Sequence, residues 1–213
     1  MVVGMDIEDL NDAEDLGLRE RKKRETRLAL SRAAIRLCLQ NGWDNVTAED
    51  IAEAANVSVR TFRNYFSGKA EAIASSHTAR AMRIADDLRA RPAGEPLWDS
   101  IVDAVVAQFA PEGAITPRDH RWRDALMVLF AEPALQGEIL KANAAAQVAL
   151  AQVVAERTGT DVTRDVYPKL VAAVVGSASA MAVEHCLRVD DPPPLGPLLR
   201  EIFAEVRAGL PTP

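Results

Sequence analysis

The chain contains few aromatic residues and very little cysteine or histidine. Aromatic residues make up 5% of its 213 residues, and it has two cysteines and three histidines. Cys38 and Cys186 lie far apart in apolar stretches without metal-ligand spacing, which favours buried thiols over a disulfide. The apolar residues are mainly alanine, valine and leucine, and they show no alternating strand pattern and no fixed repeat. This mixture favours helix over sheet.

Patterns that mark enzymes and metal sites are also missing. His77, His120 and His185 have no His-Glu-x-x-His or Cys-x-x-Cys neighbourhood. The chain has no Gly-rich phosphate loop and no Gly-x-Ser-x-Gly elbow. A metal sensor built from the three histidines is not supported by their spacing. We therefore expect no enzyme, no catalytic residue, no cofactor and no metal site.

No uncharged apolar run reaches the length of a membrane span. The longest, residues 170–183, has fourteen residues, whereas a span needs about twenty. The first seventeen residues are acidic and lack the basic-then-apolar order of a signal peptide. These features predict a cytoplasmic protein that does not bind a membrane.

Positive charge is confined to one part of the chain. Residues 1–18 carry six acidic and no basic residues, residues 19–91 carry fifteen basic and nine acidic residues, and residues 92–213 carry ten basic and sixteen acidic residues. The block at 19–91 has a net charge of +6, although the whole chain has −6. A basic block inside an acidic protein indicates one local surface for a polyanion.

Helical periodicity and helix-ending residues predict about nine helices. In residue numbers they are 18–41, 47–55, 58–65, 69–91, 97–110, 118–131, 133–158, 163–188 and 195–209. Thr47 and Asp50 form a capping-box pattern at the second helix, and Asn56 suits a left-handed turn before the third. A linker rich in proline and glycine, residues 92–96, follows the fourth helix.

Residues 56–66, NVSVRTFRNYF, place basic, amide and aromatic side chains on one short helix. At helical spacing the two phenylalanines share one face, and Arg60, Arg63 and Asn64 lie away from it. Arginine can bind guanine, and asparagine can bind adenine, through paired hydrogen bonds. Together with the preceding helix and the tight turn, this segment predicts a helix-turn-helix whose second helix enters a DNA groove.

The alternative is an amphipathic surface helix with solvated charges. That interpretation must also account for the capping box, the turn, the basic run RERKKRETR at 19–27 and the confinement of positive charge. A DNA-binding surface accounts for all four features, so we adopt it.

Residues 19–73 resemble the N-terminal domain of the TetR/AcrR family of transcriptional regulators. The resemblance rests on NGWDNVTAEDIAEAANVS followed by RTFRNYFSGK, and it covers about a quarter of the chain. It implies an all-α homodimer with a three-helix helix-turn-helix DNA-binding domain at 19–67. A helix at 69–91 then connects to a larger ligand-binding and dimerisation domain at 92–213.

By position, the resemblance places four side chains toward the DNA bases: Val59, Arg60, Arg63 and Asn64. We expect contacts to DNA phosphates from Thr47, Ser58, Thr61, Tyr65 and Lys69. Two positions depart from the family pattern. Asn56 stands where many members have glycine, and Ala70 stands where an acidic residue is common. Neither departure is expected to change the fold.

The second half carries weaker signals. Candidate residues of an effector pocket are Trp98, Phe109, Trp122, Met127, Phe130, Tyr167, Met181 and His185. For each of them, ordinary core packing or a surface position is the alternative. If a pocket exists, its apolar lining predicts a small, mostly hydrophobic effector.

The last two predicted helices are candidates for a dimer interface. One has a cluster of small residues and the other a continuous apolar stripe. The residues we assign to the interface are Val174, Gly176, Ser177, Ala180, Leu198, Leu199, Ile202, Phe203 and Val206. The family's four-helix interface implies this arrangement, and burial of the same residues within one subunit is the alternative.

The expected function is sequence-specific, homodimeric binding to a palindromic operator in double-stranded DNA, with repression relieved by a small-molecule effector. The alternative from another class is a small-molecule or protein-binding module with a vestigial DNA domain. The acidic residues 1–18 are expected to be disordered, either as a solubilising tail or as a competitor of DNA for the basic surface.

Overall fold

The computed structural model describes residues 7–109 and 120–212, and these ranges form nine α-helices and no strand. The helices are α1 (Ile7–Asn41), α2 (Ala48–Ala54), α3 (Val59–Tyr65), α4 (Lys69–Ala90), α5 (Leu97–Phe109), α6 (His120–Ala131), α7 (Pro133–Thr158), α8 (Tyr167–Arg188) and α9 (Leu195–Ala208). The prediction of an all-α chain is therefore confirmed. The turn predicted at 111–113 and the first residues of the predicted helix 118–131 lie outside the described residues.

Two helices begin at places that the sequence did not predict. Helix α1 begins at Ile7, so residues 7–18 are helical where we expected disorder. Acidic residues are favoured near the N-terminus of a helix, because the helix dipole is positive at that end. Helix α8 begins at Tyr167 and not at 163. There the Asp161 carboxylate accepts hydrogen bonds from the Thr163 amide and hydroxyl, which holds a turn before the helix.

Internal contacts divide the chain into two compact units, Met1–Ser76 and His77–Pro213. The division falls inside α4, so this helix belongs to both units. The proline- and glycine-containing segment 92–96, which we predicted to be a linker, lies within the second unit.

The first unit contains the predicted helix-turn-helix. The Thr47 hydroxyl accepts from the Asp50 amide, and the Asp50 carboxylate accepts from the Thr47 amide at 2.8 Å, so the capping box is formed. Hydrogen bonds donated to the Asp50 carboxylate by the Thr47 hydroxyl and then by the Thr47 amide lower the pKa of Asp50. Asn56 has a φ of +54°, in the left-handed region expected for the turn. The Ser58 hydroxyl then caps α3 by accepting from the Thr61 amide at 3.0 Å.

Two phenylalanines anchor α3 in the core of the first unit. Phe62 and Phe66 are 1% and 2% exposed, and their ring centroids lie 5.9 Å apart. Leu30 of α1 and Ile51 of α2 are fully buried in the same unit. The Arg27 guanidinium lies over the Phe66 ring, 4.7 Å from its centroid. Burial of both rings orients the other side of α3 toward solvent.

The core of the second unit comes from α5, α7, α8, α9 and the C-terminal half of α4. Its fully buried side chains include Leu88, Ile101, Val105, Val153, Val154, Leu199 and Phe203. Helix α8 is long and apolar enough, by length and composition alone, to cross a membrane. It buries Val171, Val175, Ala178 and Ala182 in this core.

Arginines tie the segment between α4 and α5 to the second unit. Arg91 donates two hydrogen bonds of 2.5 Å to the Glu95 carboxylate, and the Ser100 hydroxyl donates a third at 2.6 Å. Arg157 of α7 donates to the carbonyl oxygens of residues 88, 91, 92 and 95 and to the Ser100 hydroxyl. Hydrogen bonds from Arg91 and from Arg157 therefore fix the segment between α4 and α5.

Acidification is expected to destabilise the second unit through Glu95. Hydrogen bonds from Arg91 and then Ser100 lower the pKa of Glu95 from 4.5 to about 2. A carboxyl group with a lowered folded-state pKa stabilises the fold above its unfolded pKa, and this contribution is lost as the pH falls to the folded pKa. The free energy of unfolding should therefore decrease between pH 4.5 and about 2.

Urea denaturation across this pH range tests the role of Glu95. The Glu95→Gln variant should show a flatter dependence of unfolding free energy on pH than the parent protein. Glu205→Gln, at an exposed position of α9, is the control and should keep the parent slope. A parent-like slope in Glu95→Gln would contradict the prediction.

Candidate DNA-binding surface and effector cavity

Helix α3 presents the predicted base-reading residues to solvent. Arg60, Arg63 and Asn64 are exposed and Val59 is half-buried, whereas Phe62 on the opposite side is buried. The structure therefore brings Arg60, Arg63 and Asn64 to the outer side of one short helix, with Val59 at its half-buried edge. Two guanidinium groups and one carboxamide supply the donors and the acceptor that hydrogen-bonding to base edges requires.

Arg63 already has a partner in this structure. Its Nη2 atom lies 3.4 Å from Oε1 of Glu49 on α2, and the two side chains are 69% and 60% exposed. An exposed ion pair contributes little to stability, about 0 to 1 kcal/mol. Arg63 can therefore leave Glu49 at small cost when a DNA base offers paired acceptors.

The predicted phosphate-binding residues have different environments. Thr47 and Ser58 are exposed at the first turns of α2 and α3, where each hydroxyl caps its helix. The Thr61 hydroxyl lies 2.8 Å from that of Ser58, so the two form a polar pair at the start of α3. Tyr65 is half-buried, and its ring centroid lies 6.5 Å from that of Phe66.

Lys69 has a structural role that the sequence did not indicate. Its ammonium group donates hydrogen bonds to the carbonyl oxygens of Trp43 and Val46 and lies 4.4 Å from the centroid of the Trp43 ring. An ammonium has three N–H donors, and Lys69 directs two of them to the loop between α1 and α2. The first turn of α4 is thereby tied to this loop.

The basic run 19–27 lies on α1, and its residues are almost all exposed. Two of its cations form weak pairs along the helix: Arg21 with Glu25 at 4.0 Å and Lys23 with Glu20 at 3.8 Å. Charges this exposed interact weakly with each other and remain available to a polyanion. The first unit therefore contains an exposed basic segment on α1 in addition to the exposed arginines of α3.

The second unit contains an open cavity of about 850 Å³. Its walls come from α4, α5, α6, α7 and α8. The lining includes His77, Arg80, Ile84, Phe109, Met127, Phe130, Gln136, Ile139, Leu140, Asn143, Gln147, Leu150, Val175, Gly176, Ser177, Ala180, Val183, Glu184, Leu187 and Arg188. The volume is that of a pocket for a drug-sized molecule.

Three of the eight residues predicted for the effector pocket line this cavity: Phe109, Met127 and Phe130. The other five do not, and the structure corrects those assignments. Trp98 packs against the core, and Trp122 is half-buried away from the cavity. Tyr167, Met181 and His185 are exposed on α8, outside the stripe of residues that this helix buries.

Sequence analysis missed the polar residues of the cavity. The Nε2 atom of His77 lies 2.5 Å from Oδ1 of Asn143. The Arg80 guanidinium lies over the Phe109 ring, 4.9 Å from its centroid. Burial, followed by the nearby charge of Arg83, lowers the pKa of Arg80. One indication of this group was present in the sequence: residues 77, 80, 81 and 84 are three or four positions apart, so they lie on one face of α4.

The predicted dimer residues divide into three groups. Leu199 and Phe203 are fully buried within the subunit, so their assignment to an interface was wrong. The apolar stripe of α9 packs on the core of its own chain, which was the alternative. Gly176, Ser177 and Ala180 line the cavity. Val174, Leu198, Ile202 and Val206 are half-buried.

No cluster of three or more His, Cys, Asp or Glu side chains suited to a metal ion occurs among the residues that the structure describes. Within the same residues, Cys38 and Cys186 are buried free thiols, and burial raises the pKa of both.

Two family models match the chain. The model described as bacterial regulatory proteins, tetR family, matches residues 30–74, which contain the helix-turn-helix. The model described as the MftR C-terminal domain matches residues 95–211, which is more than half of the chain and includes most of the second unit.

Individual proteins are similar over most of the chain. It is 33% identical over 178 residues to the HTH-type transcriptional regulator TcmR of Streptomyces glaucescens, covering 82% of this chain and 79% of that protein. The chain is also 31% identical over 194 residues to a protein of Mycobacterium tuberculosis named as a mycofactocin biosynthesis transcriptional regulator, MftR. This alignment covers 89% of the present chain and 93% of that protein. FadR of Thermus thermophilus, solved in complex with lauroyl-CoA, has a similar fold, with a TM-score of 0.50 and 19% identity. The superposition covers 88% of the present chain and 96% of FadR.

Proposed function

The chain belongs to the TetR family of bacterial regulatory proteins, and on that premise we propose that it represses transcription from a palindromic operator until a small, mostly hydrophobic effector binds. As a member of this family it is a DNA-binding transcriptional regulator and not an enzyme. The repressor role, the operator symmetry, the chemistry of the effector and a cytoplasmic location are parts of the proposal.

The arrangement of α3 is the observation that carries the proposal. Its buried phenylalanine side fixes the helix, and its exposed side offers Arg60, Arg63 and Asn64 together. Half to two-thirds of protein–DNA hydrogen bonds go to phosphate and sugar, and base-edge contacts supply the specificity. The hydroxyls of Thr47, Ser58 and Thr61 and the phenol of Tyr65 are candidates for the phosphate contacts.

The cavity supports a hydrophobic effector. Phe109, Met127, Phe130, Ile139 and Leu140 supply an apolar lining that a mostly hydrophobic molecule would cover. The lauroyl-CoA bound by FadR of Thermus thermophilus contains such an apolar chain. For the present chain, this fold similarity suggests that the second unit holds the effector.

Helix α4 provides a covalent route from the cavity to the DNA-binding unit. Its residues His77 and Arg80 line the cavity, and its first residue, Lys69, is bound to the loop before α2. An effector that binds one position of α4 better than another shifts the population toward that position. Binding of DNA and effector would then be coupled through one helix, with reciprocal effects on affinity.

A homodimer completes the proposed function. A palindromic site has two equal half-sites, and a twofold dimer presents one α3 to each, about one DNA turn apart. Gly176, Ser177 and Ala180, together with the half-buried apolar residues of α8 and α9, remain our candidates for the interface. The buried Leu199 and Phe203 are excluded.

A selection of genomic fragments by the purified protein at two salt concentrations tests this function. Recovery of a palindromic site with half-sites about one helical turn apart would support the dimeric repressor. Absence of an enriched site at either salt would favour a ligand-binding module with a vestigial DNA domain.

The Arg63→Ala variant is expected to lose base discrimination. Loss of a bidentate arginine–guanine contact costs about 1 to 3 kcal/mol for each half-site. Fluorescence anisotropy should therefore show a larger loss of affinity for the selected operator than for an unrelated duplex. Arg164→Ala, which removes an exposed arginine from the loop before α8, is the matched control. Equal losses on both duplexes would remove Arg63 from the base-reading set.

A further inference from the structure

Among the described residues that line the cavity, one cation, Arg80, has no anionic partner. Among its lining residues, Glu184 is paired with Arg188, whose Nη2 atom lies 2.8 Å from the carboxylate. His77 is bonded to Asn143. Within the described part of the chain, Arg80 contacts the Phe109 ring but has neither a hydrogen-bond acceptor nor a carboxylate within ion-pair distance.

This environment is energetically unfavourable for the charged form of Arg80. The side chain is half-buried among apolar residues, and burial lowers its pKa because the charged form loses hydration. Neighbouring Arg83 adds a second positive charge, and it donates to Gln108 at 2.7 Å. A cation–π contact with Phe109 offsets part of the lost hydration. The five N–H donors of the guanidinium have no acceptor among the residues that the structure describes.

We propose that the effector carries a single anionic group, a carboxylate or a phosphate, on an apolar body, and that Arg80 binds this group. The proposal rests on the proposed function, because it names the chemical class of the effector for the same cavity. Carboxylate and phosphate share the geometry that accepts two parallel hydrogen bonds from arginine. The apolar body of the ligand would contact Met127, Phe130 and Leu140.

The position of Arg80 suits an effector that controls α4. Arg80 lies one helical turn after His77, the first residue of the second unit. An anion held by Arg80 would therefore bind α4 directly and not only the walls of the cavity. The apolar side chains with which α4 lines the cavity are Ala81 and Ile84, so a purely apolar ligand would have fewer contacts to this helix.

Isothermal titration calorimetry of the full chain with three probes tests the proposal. Dodecanoate and dodecyl phosphate carry an anion on the same apolar chain, and 1-dodecanol carries a neutral hydroxyl. All are used below the concentrations at which they aggregate. We expect both anions to bind at least about tenfold more tightly than dodecanol, since hydrogen bonds to charged groups are worth more than neutral ones. The ranking of the two anions distinguishes a carboxylate from a phosphate effector.

Variants then assign the preference to Arg80. Arg80→Gln should lower the affinity for both anions to that for dodecanol, with the dodecanol affinity unchanged within about twofold. Arg83→Gln removes a neighbouring arginine that does not line the cavity and should keep the anion preference. Arg80→Lys retains the positive charge but lacks the paired N–H donors, so it should keep part of the preference for anions. Thermal unfolding of each variant verifies that it is folded.

Equal affinities for the three probes, no binding of any probe, or an anion preference that survives in Arg80→Gln would overturn the proposal. The assay contains no DNA, so these outcomes are independent of operator binding. Operator affinity is then measured separately with and without the anionic probe. If anion binding depends on Arg80 but operator affinity does not change, this ligand chemistry is supported and effector-controlled release is rejected.

Discussion

The Phe62→Ala variant is expected to lose about 3 to 5 kcal/mol of folding stability and, with it, specific DNA binding. Phe62 is 1% exposed, and its ring packs beside that of Phe66 in the core of the first unit. Truncation removes the transfer energy of the ring and leaves a cavity that seven-residue α3 cannot fill by a small shift. The exposed arginines of the same helix would then lose their fixed orientation.

Chemical unfolding monitored by circular dichroism, combined with operator binding, measures both effects of Phe62→Ala. Asn64→Ala is the matched control, because Asn64 is two residues away on the exposed side of α3. It should change the free energy of unfolding by less than about 0.5 kcal/mol and still weaken operator binding. If both variants unfold like the parent protein, Phe62 is not the anchor of α3.

The Arg157→Ala variant is expected to destabilise the second unit by about 2 to 4 kcal/mol. Arg157 is a half-buried residue of α7 that donates to four backbone carbonyls at the end of α4 and in the following segment, at distances of 2.9 to 3.3 Å. It also donates to Ser100 of α5 at 3.1 Å. Removal of the guanidinium leaves several partly buried acceptors without a donor.

Urea denaturation of Arg157→Ala and Arg157→Lys separates hydrogen bonding from charge. Lysine keeps the positive charge but lacks the planar donors that reach several carbonyls, so it should recover less than half of the lost stability. Arg164→Ala, at an exposed arginine seven residues further along the chain, should stay within about 0.5 kcal/mol of the parent. A parent-like midpoint for Arg157→Ala would show that solvent replaces these hydrogen bonds without cost.

The first unit was predictable because its signals are local. Thr47 and Asp50 are three residues apart, Ser58 precedes the helix that it caps, and Asn56 occupies the turn between them. Each feature determines backbone geometry within a few residues. The start of α1 was missed because a high density of acidic residues indicates disorder in one setting and stabilises a helix N-terminus in another.

The cavity was less predictable because its geometry depends on contacts between distant parts of the chain. His77 and Asn143 are separated by 66 positions, and no local pattern indicates that they meet. The aromatic residues chosen as lining candidates were as well suited to core packing, and Trp98 is used in that way. For α9, the apolar stripe showed that one side is buried, but it carried no information about which chain would bury it.

The shared helix α4 also limits how this regulator can be recombined with others. The two units meet between Ser76 and His77, inside a continuous helix of 22 residues. A chimaera that exchanges the DNA-reading half must therefore be joined within a helix. Each residue inserted at the junction would rotate the following part by about 100° and advance it by about 1.5 Å. Insertions of about seven, eleven or eighteen residues, which are close to whole numbers of turns, would restore the original facing.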